Sequence, residues 1–148
     1  MRSQDWSASA AADDTFTISA RVYYEDTDAA GVVYYANYLR FCERGRTEWL
    51  RHLGLEQHDL LHEQAVAFVV RSLEARYHAP ARLDDLLCVA THVTGIGRAS
   101  LDFSQAVLRG EELLFSAHIC VASVDTVRGR PIAIPAAFRA VLPEAHAK

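Results

Sequence analysis

The sequence carries no Lys/Arg run longer than two, and its 15 basic and 19 acidic residues leave a net charge of −4. Nucleic-acid proteins usually present a basic patch, so no nucleic-acid partner is expected. Arg128-Gly129-Arg130 is the nearest thing to one; it suits a phosphate but cannot track a polynucleotide. Cysteine is scarce: Cys42, Cys88 and Cys120 are the only three, with no C-x-x-C spacing. An odd, unpatterned set fits a reducing compartment, and a cytoplasmic location is expected. No apolar run approaches the ~20 residues of a membrane span. Nor do the first residues hold an apolar stretch fit for a signal peptide.

Several kinds of chemistry are missing too. There is no G-x-S-x-G nucleophile elbow. His58 and His62 stand at i and i+4, but no third ligand and no H-E-x-x-H accompany them, so no metal is expected. Gly95-Ile96-Gly97 lies between two strand candidates rather than before a helix, which makes it a turn and not a dinucleotide fingerprint. No organic cofactor is expected. No internal repeat and no alternating βαβ pattern occurs, which argues against a doubly wound parallel sheet.

What remains is an ordinary globular composition of 148 residues, 51% hydrophobic and 23% charged. That length suits one domain. Residues 1–14, rich in Ser, Ala and Asp, are expected to be a flexible tail, residues 15–142 the domain, and 143–148 a second tail. Thr15 to Tyr24 reads as a strand. Tyr34 to His52 reads as one long helix, with Tyr34, Tyr38, Phe41, Gly45, Trp49 and Leu53 drawing an apolar stripe. Gly45 within that stripe costs about 1 kcal/mol of helix propensity, and close approach to a sheet is the expected compensation. Gly54 stops the helix. Residues 55–65 suggest a short helix or lid. Four strands follow: Ala67 to Tyr77, Leu86 to Val93, Ala99 to Leu108 and Leu113 to Val124. Strand, long helix and meander imply an α+β chain, one antiparallel sheet curved round the helix. An exposed edge strand would remain, and pairing with a second copy would cover it.

The chemistry worth weighing lies between the first strand and the helix. Glu25 to Gly31 forms an acidic turn, with Asp26 and Asp28 in it and Val32-Val33 behind. Asp is common in turns for conformational reasons alone. Yet a carboxylate beside a helix N-terminus can attack a carbonyl, or activate water, where N–H groups receive the developing oxyanion. Asp28 is favoured over Asp26, which is expected to shape the turn. Glu43 is a rival carboxylate, more simply read as an exposed residue paired with Arg40, Arg46 or Thr47. Cys42 inside the helix suits a core role better than a catalytic one. His92 and His118 on strands read as structural. Gly31 and Val32 are candidates for contact with substrate, and Arg98, Arg128 and Arg130 for contact with its phosphates.

Tyr24-Glu-Asp-Thr-Asp28-Ala-Ala-Gly31-Val-Val-Tyr-Tyr-Ala-Asn-Tyr38, then Phe41 and Glu43-Arg-Gly-Arg-Thr-Glu48, closely resembles the 4-hydroxybenzoyl-CoA thioesterase family. The likeness continues through Val66 to Arg71, Tyr77-His-Ala-Pro-Ala-Arg-Leu-Asp-Asp85 and Val121 to Asp125. The chain looks most like the tol-pal system-associated branch of acyl-CoA thioesterases. The resemblance implies a hot-dog fold, an antiparallel sheet wrapped round a central helix, working as a homodimer or homotetramer. It implies hydrolysis of acyl-CoA to free acid and coenzyme A without metal or cofactor. It places the catalytic carboxylate at Asp28 and the N–H that polarises the thioester carbonyl at Tyr35, with each site shared between two chains. Many members of the tol-pal branch carry His where this chain has Tyr35; a backbone N–H role survives that change. The alternative is a non-catalytic module binding acyl-CoA or acyl carrier protein in a cell-envelope complex linked to tol-pal.

Overall fold

The computed structural model describes residues 15–143; most of both expected tails lies outside the described residues. Strand β1 (Phe16–Arg21) leads through a single 3₁₀ turn (Tyr24–Asp26) into helix α1 (Asn37–His52). Helix α2 (Gln57–Gln64) follows, then β2 (Val66–Tyr77), β3 (Leu86–Ile96), β4 (Ser100–Arg109) and β5 (Glu112–Asp125). A two-residue strand β6 (Arg130–Pro131) and a one-turn helix α3 (Ala136–Arg139) complete the described chain.

All strand pairs are antiparallel, in the order β1-β3-β4-β5-β2, with β6 on β5. The sheet curls round α1, as the strand–helix–meander order leads one to expect. Strand alternation sends Val89, Thr91 and Val93 of β3, and Leu101, Phe103, Gln105 and Val107 of β4, to the helix side. Against them α1 buries Tyr38, Phe41, Cys42, Gly45, Trp49 and Leu50. Trp49 meets Phe103 edge-on at 5.4 Å, and Tyr38 stacks on Phe115 at 5.0 Å. Gly45 is the point of closest approach. A Cβ there would lie 2.8 Å from Thr91 Oγ1 and 3.1 Å from Val89 Cγ1. The compensation expected of a glycine in the stripe is therefore present.

Three boundaries differ from expectation. Helix α1 begins at Asn37, not Tyr34. Backbone pairing wins there: Thr27 bridges Val33, and the Tyr34 N–H donates to Asp26 O at 2.9 Å, so Tyr34 is held in an extended entry and stays exposed. The Gly95 region is not a turn. β3 runs on to Ile96 by absorbing a bulge between Val93 and Gly95. β1 stops at Arg21, three residues before Tyr24. In β2 a second bulge, between Val70 and Ser72, keeps Val70 and Leu73 on the helix side although they are three apart.

Candidate active site

The acidic turn is built by short hydrogen bonds that its sequence makes available. The Asp28 N–H donates to Val32 O and the Gly31 N–H donates to Asp28 O, both at 2.9 Å. Gly31 has φ of +80°, which a side chain would strain. The Ala30 N–H donates to Asp28 Oδ1 at 2.9 Å, fixing the carboxylate by an Asx turn on an exposed rim. Asp26 works differently. Its Oδ2 accepts from the Tyr23 N–H at 2.8 Å, and its carbonyl accepts from the Tyr34 N–H and from Asn37 Nδ2. Asp26 thus ties the turn to the helix start.

Sequence reading missed Asn37. It is buried at the first position of α1, where its side chain does not cap the helix but donates from Nδ2 to Asp26 O, a long-range partner that spacing does not reveal. Sequence reading also took Pro80 to Asp85 only as a turn and, within Tyr77 to Asp85, as a family signature. The structure makes that stretch the second wall of the acidic turn. The Val33 N–H donates to Ala81 O, Val32 bridges Arg82, and the Ala81 N–H donates to the buried Tyr38 hydroxyl at 3.0 Å. Burial pushes the Tyr38 phenol up from its ordinary value. Behind it, Asp85 Oδ2 accepts from the Arg82 N–H at 2.8 Å and from Arg109 Nη1 at 2.7 Å. Burial works to raise the Asp85 pKa, but the Arg82 N–H and the Arg109 guanidinium outweigh it and hold the carboxyl below its ordinary value.

Tyr35 lies in the entry turn, two residues before α1. Its carbonyl accepts from the Tyr77 hydroxyl at 2.8 Å. Among the described residues, no backbone carbonyl accepts from the Tyr35 N–H, whereas the Tyr34 and Asn37 N–H groups are both taken. The Tyr34 and Tyr35 rings lie 4.9 Å apart. The Tyr35 side chain pushes the Tyr34 phenol up, and the Asp28 carboxylate adds to the shift. Asp28, Gly31 and Val32 are brought together, with Tyr34 and Tyr35 beside them.

Arg98, Arg128 and Arg130 are not brought to Asp28 within one chain. The acidic turn touches Arg82, just before β3, whereas Arg98 follows the far end of that strand. Ten steps along β3 span roughly 33 Å. Arg128 and Arg130, beyond the end of β5, lie at that same far end, where Arg139 Nη2 donates to Gly97 O and Arg98 O.

The rivals are placed as well. The Glu43 carboxylate is exposed and accepts from Thr47 Oγ1 at 2.9 Å. Burial pushes the Cys42 thiol up to about 12, which removes it as a nucleophile. The His58 and His62 rings lie 4.2 Å apart, tilted by 49°, and among the described residues no group of three or more His, Cys, Asp or Glu side chains is arranged to hold a metal.

A curled antiparallel sheet closed over one long helix, with a carboxylate turn at the helix entry, is the architecture of a hot-dog thioesterase. The chain belongs to the thioesterase-like superfamily, whose family model matches residues 22–142, and it is an enzyme of the thioester-hydrolase class. Acyl-CoA thioesterase YbgC of Haemophilus influenzae is 48% identical over 128 residues, covering 86% of this chain and 94% of that protein. A probable thioesterase from Bartonella henselae has a solved structure 38% identical, with a TM-score of 0.79 over 82% of this chain and 99% of that one. The structure of 4-hydroxybenzoyl CoA thioesterase from Pseudomonas sp. strain CBS-3, 24% identical with a TM-score of 0.79, covers 88% of this chain and 100% of its own; it shares the fold. The family and fold expected from the resemblance are borne out. No described helix is long and apolar enough to cross a membrane.

Proposed function

We propose that this chain hydrolyses acyl-CoA thioesters to free acid and coenzyme A, with Asp28 as the catalytic carboxylate and the Tyr35 N–H as the oxyanion donor. The observation that carries this is the pairing of a rigid, solvent-facing carboxylate with an uncommitted backbone N–H at the helix entry. The thioester carbonyl sits against the Tyr35 N–H, and the positive end of α1 adds to its polarisation. Asp28 then acts by one of two routes. As nucleophile, it attacks the carbonyl carbon, expels coenzyme A thiolate and leaves a mixed anhydride that water cleaves. As general base, it takes a proton from water, which attacks instead.

Asp28 is exposed in the single chain, so another surface must exclude bulk water from it. A second copy supplies that surface in this reading. The long edge strand β2 leaves Val69, Val70, Leu73 and Tyr77 between 41% and 50% exposed, an edge that natural proteins seldom leave open. Antiparallel pairing of two β2 edges brings the far end of one sheet beside the near end of the other. Arg98, Arg128 and Arg130 of one protomer then face Asp28 of its partner and hold the coenzyme A phosphates.

The test is steady-state hydrolysis of an acyl-CoA panel by wild type and Asp28→Asn. Asn keeps the shape but is neither base nor nucleophile, and kcat is expected to fall by about a hundred- to ten-thousand-fold. Near-wild-type turnover by Asp28→Asn would remove Asp28 from the mechanism. Tight acyl-CoA or acyl carrier protein binding without turnover by wild type would favour the envelope-complex scaffold instead.

A further inference from the structure

The groove between α1 and β2 carries polar groups that the hydrolytic step leaves unused. The two elements run antiparallel. At one end Tyr77 meets Tyr35; the groove beyond is lined by Leu39, Glu43 and Arg46 of α1, Val70 and Leu73 of β2, and Ile119 of β5. This outer chamber has a volume of about 560 Å³. A second chamber of about 170 Å³ lies deeper, walled by Leu50, Phe68, Leu101, Phe103 and Val121. Arg40 and Arg44 complete the rim of the outer space, and Thr47 and Gln57 that of the inner; Glu43, Arg46 and Val70 line both, so they stand where the two spaces meet.

Arg46 is held there by a buried scaffold. Its Nη1 donates to Gln105 Oε1 at 2.9 Å. Gln105, fully buried on β4, spends its amide N–H groups on Cys42 O at 2.9 Å and Thr91 Oγ1 at 2.8 Å. That arrangement fixes the amide so that its oxygen faces Arg46. Only one of the five guanidinium donors is used on Gln105. Burial pushes the Arg46 guanidinium down from its ordinary value, with the Glu43 charge opposing. A half-buried cation in an apolar channel is costly to strip of its remaining partners. An acyl chain advancing past it must do that, or move it.

We propose that Arg46, positioned by Gln105, is the gate that sets acyl-chain length, closing the inner chamber to chains that fill the outer one. This rests on the acyl-CoA hydrolysis proposed above, with the thioester at Tyr35 and the acyl group running along α1. Six helical steps from Asn37 to Glu43 rise about 9 Å at 1.5 Å per residue, and the two entry residues from Tyr35 bring the span to about 12 Å. The long Arg46 side chain leans back toward the helix N-terminus, to roughly the Glu43 level. Carbon–carbon bonds of about 1.5 Å in a zigzag cover that distance with about ten carbons. Medium-length acyl groups thus end at the gate. Longer ones need the inner chamber, where Phe68 and Leu50 would pack against their tails.

The experiment measures kcat/KM on hexanoyl-, decanoyl- and myristoyl-CoA for wild type, Arg46→Met, Arg46→Gln and the double variant Arg46→Met/Phe68→Trp. Wild type should lose at least about tenfold between decanoyl and myristoyl, the scale of several methylenes denied burial. Arg46→Met should raise the myristoyl-to-decanoyl ratio by at least about tenfold. Arg46→Gln, which still reaches Gln105, should give a smaller rise, and it stands in if the Met variant fails to fold. Refilling the inner chamber with Trp should return the ratio to the wild-type value. A myristoyl-to-decanoyl ratio that stays within about twofold in both single variants overturns the gate, even if their rates fall on all three substrates. Asp28→Asn, run alongside, separates the two readings. If it is inactive while the ratio is unmoved by Arg46, the site stands and the gate does not.

Discussion

Gly45 shows how one missing methyl group fixes the position of the central helix. In an exposed helix, Gly→Ala gains about 1 kcal/mol. Here the added Cβ would lie 2.8 Å from Thr91 Oγ1 and 3.2 Å from Gln105 Nε2. Both neighbours are fully buried and hydrogen-bonded to each other, so neither yields easily. Overpacking of this kind costs about 1–3 kcal/mol and outweighs the propensity gain. Gly45→Ala should therefore lower stability by about 1–2 kcal/mol, read as a lower urea midpoint with the slope unchanged; a raised midpoint would show that the helix can lift off the sheet at no cost. The same neighbourhood shows what a sequence hides at this scale. The contact at Gly45 was legible, because a glycine inside an apolar helical stripe asks for close approach. Gln105 was not, although it shares strand parity with Leu101, Phe103 and Val107. Its role depends on Cys42 O, Thr91 and Arg46, which only the fold brings together.

At the scale of elements, strand and helix periodicity located β1 to β5 and α1, and the errors fell where backbone pairing competes with it. Tyr34 has the spacing of the α1 stripe, yet its N–H is claimed by Asp26 O. The Ala79–Asp85 turn was legible as a turn and not as the support of the site. Its contacts with Val32, Val33 and Tyr38 are long-range. Asp85 and Arg109 lock that turn to β4, and the lock has a defined pH signature. The Asp85 carboxyl is held below its ordinary value in the folded state, so its contribution is fully present above the unfolded pKa of about 3.9. That contribution is lost as pH falls through the lower, folded value. Asp85→Asn should cost about 1 kcal/mol near neutrality, since Arg109 stays partly solvated. The gap between the two proteins in thermal melts should begin to narrow below about pH 4 and close once the pH is under the lowered folded value. A gap that persists at acid pH would assign the lock to shape alone.

Across the whole molecule, the roughly 33 Å of β3 between the acidic turn and Arg98 is what makes the proposed site a property of two chains. In that reading a lone protomer has a carboxylate without a phosphate clamp at one end, and arginines without a carboxylate at the other. That division can be tested without any structure of the dimer. Asp28→Asn protein keeps its arginines; Arg98→Ala/Arg128→Ala/Arg130→Ala protein keeps its Asp28. Each alone should be strongly impaired, the first in kcat, the second chiefly in KM for the coenzyme A ester. When the two are unfolded together and refolded in equal amounts, half of the two-fold dimers are mixed. In each mixed dimer one site pairs an intact Asp28 with the intact arginines of the other chain, and the second site lacks both. Activity should then recover to about one quarter of wild type, from random assortment of isologous pairs. If each site were instead served by its own chain's arginines, both sites of the mixed dimer would be defective, and the mixture would show no more than the mean of the two variants.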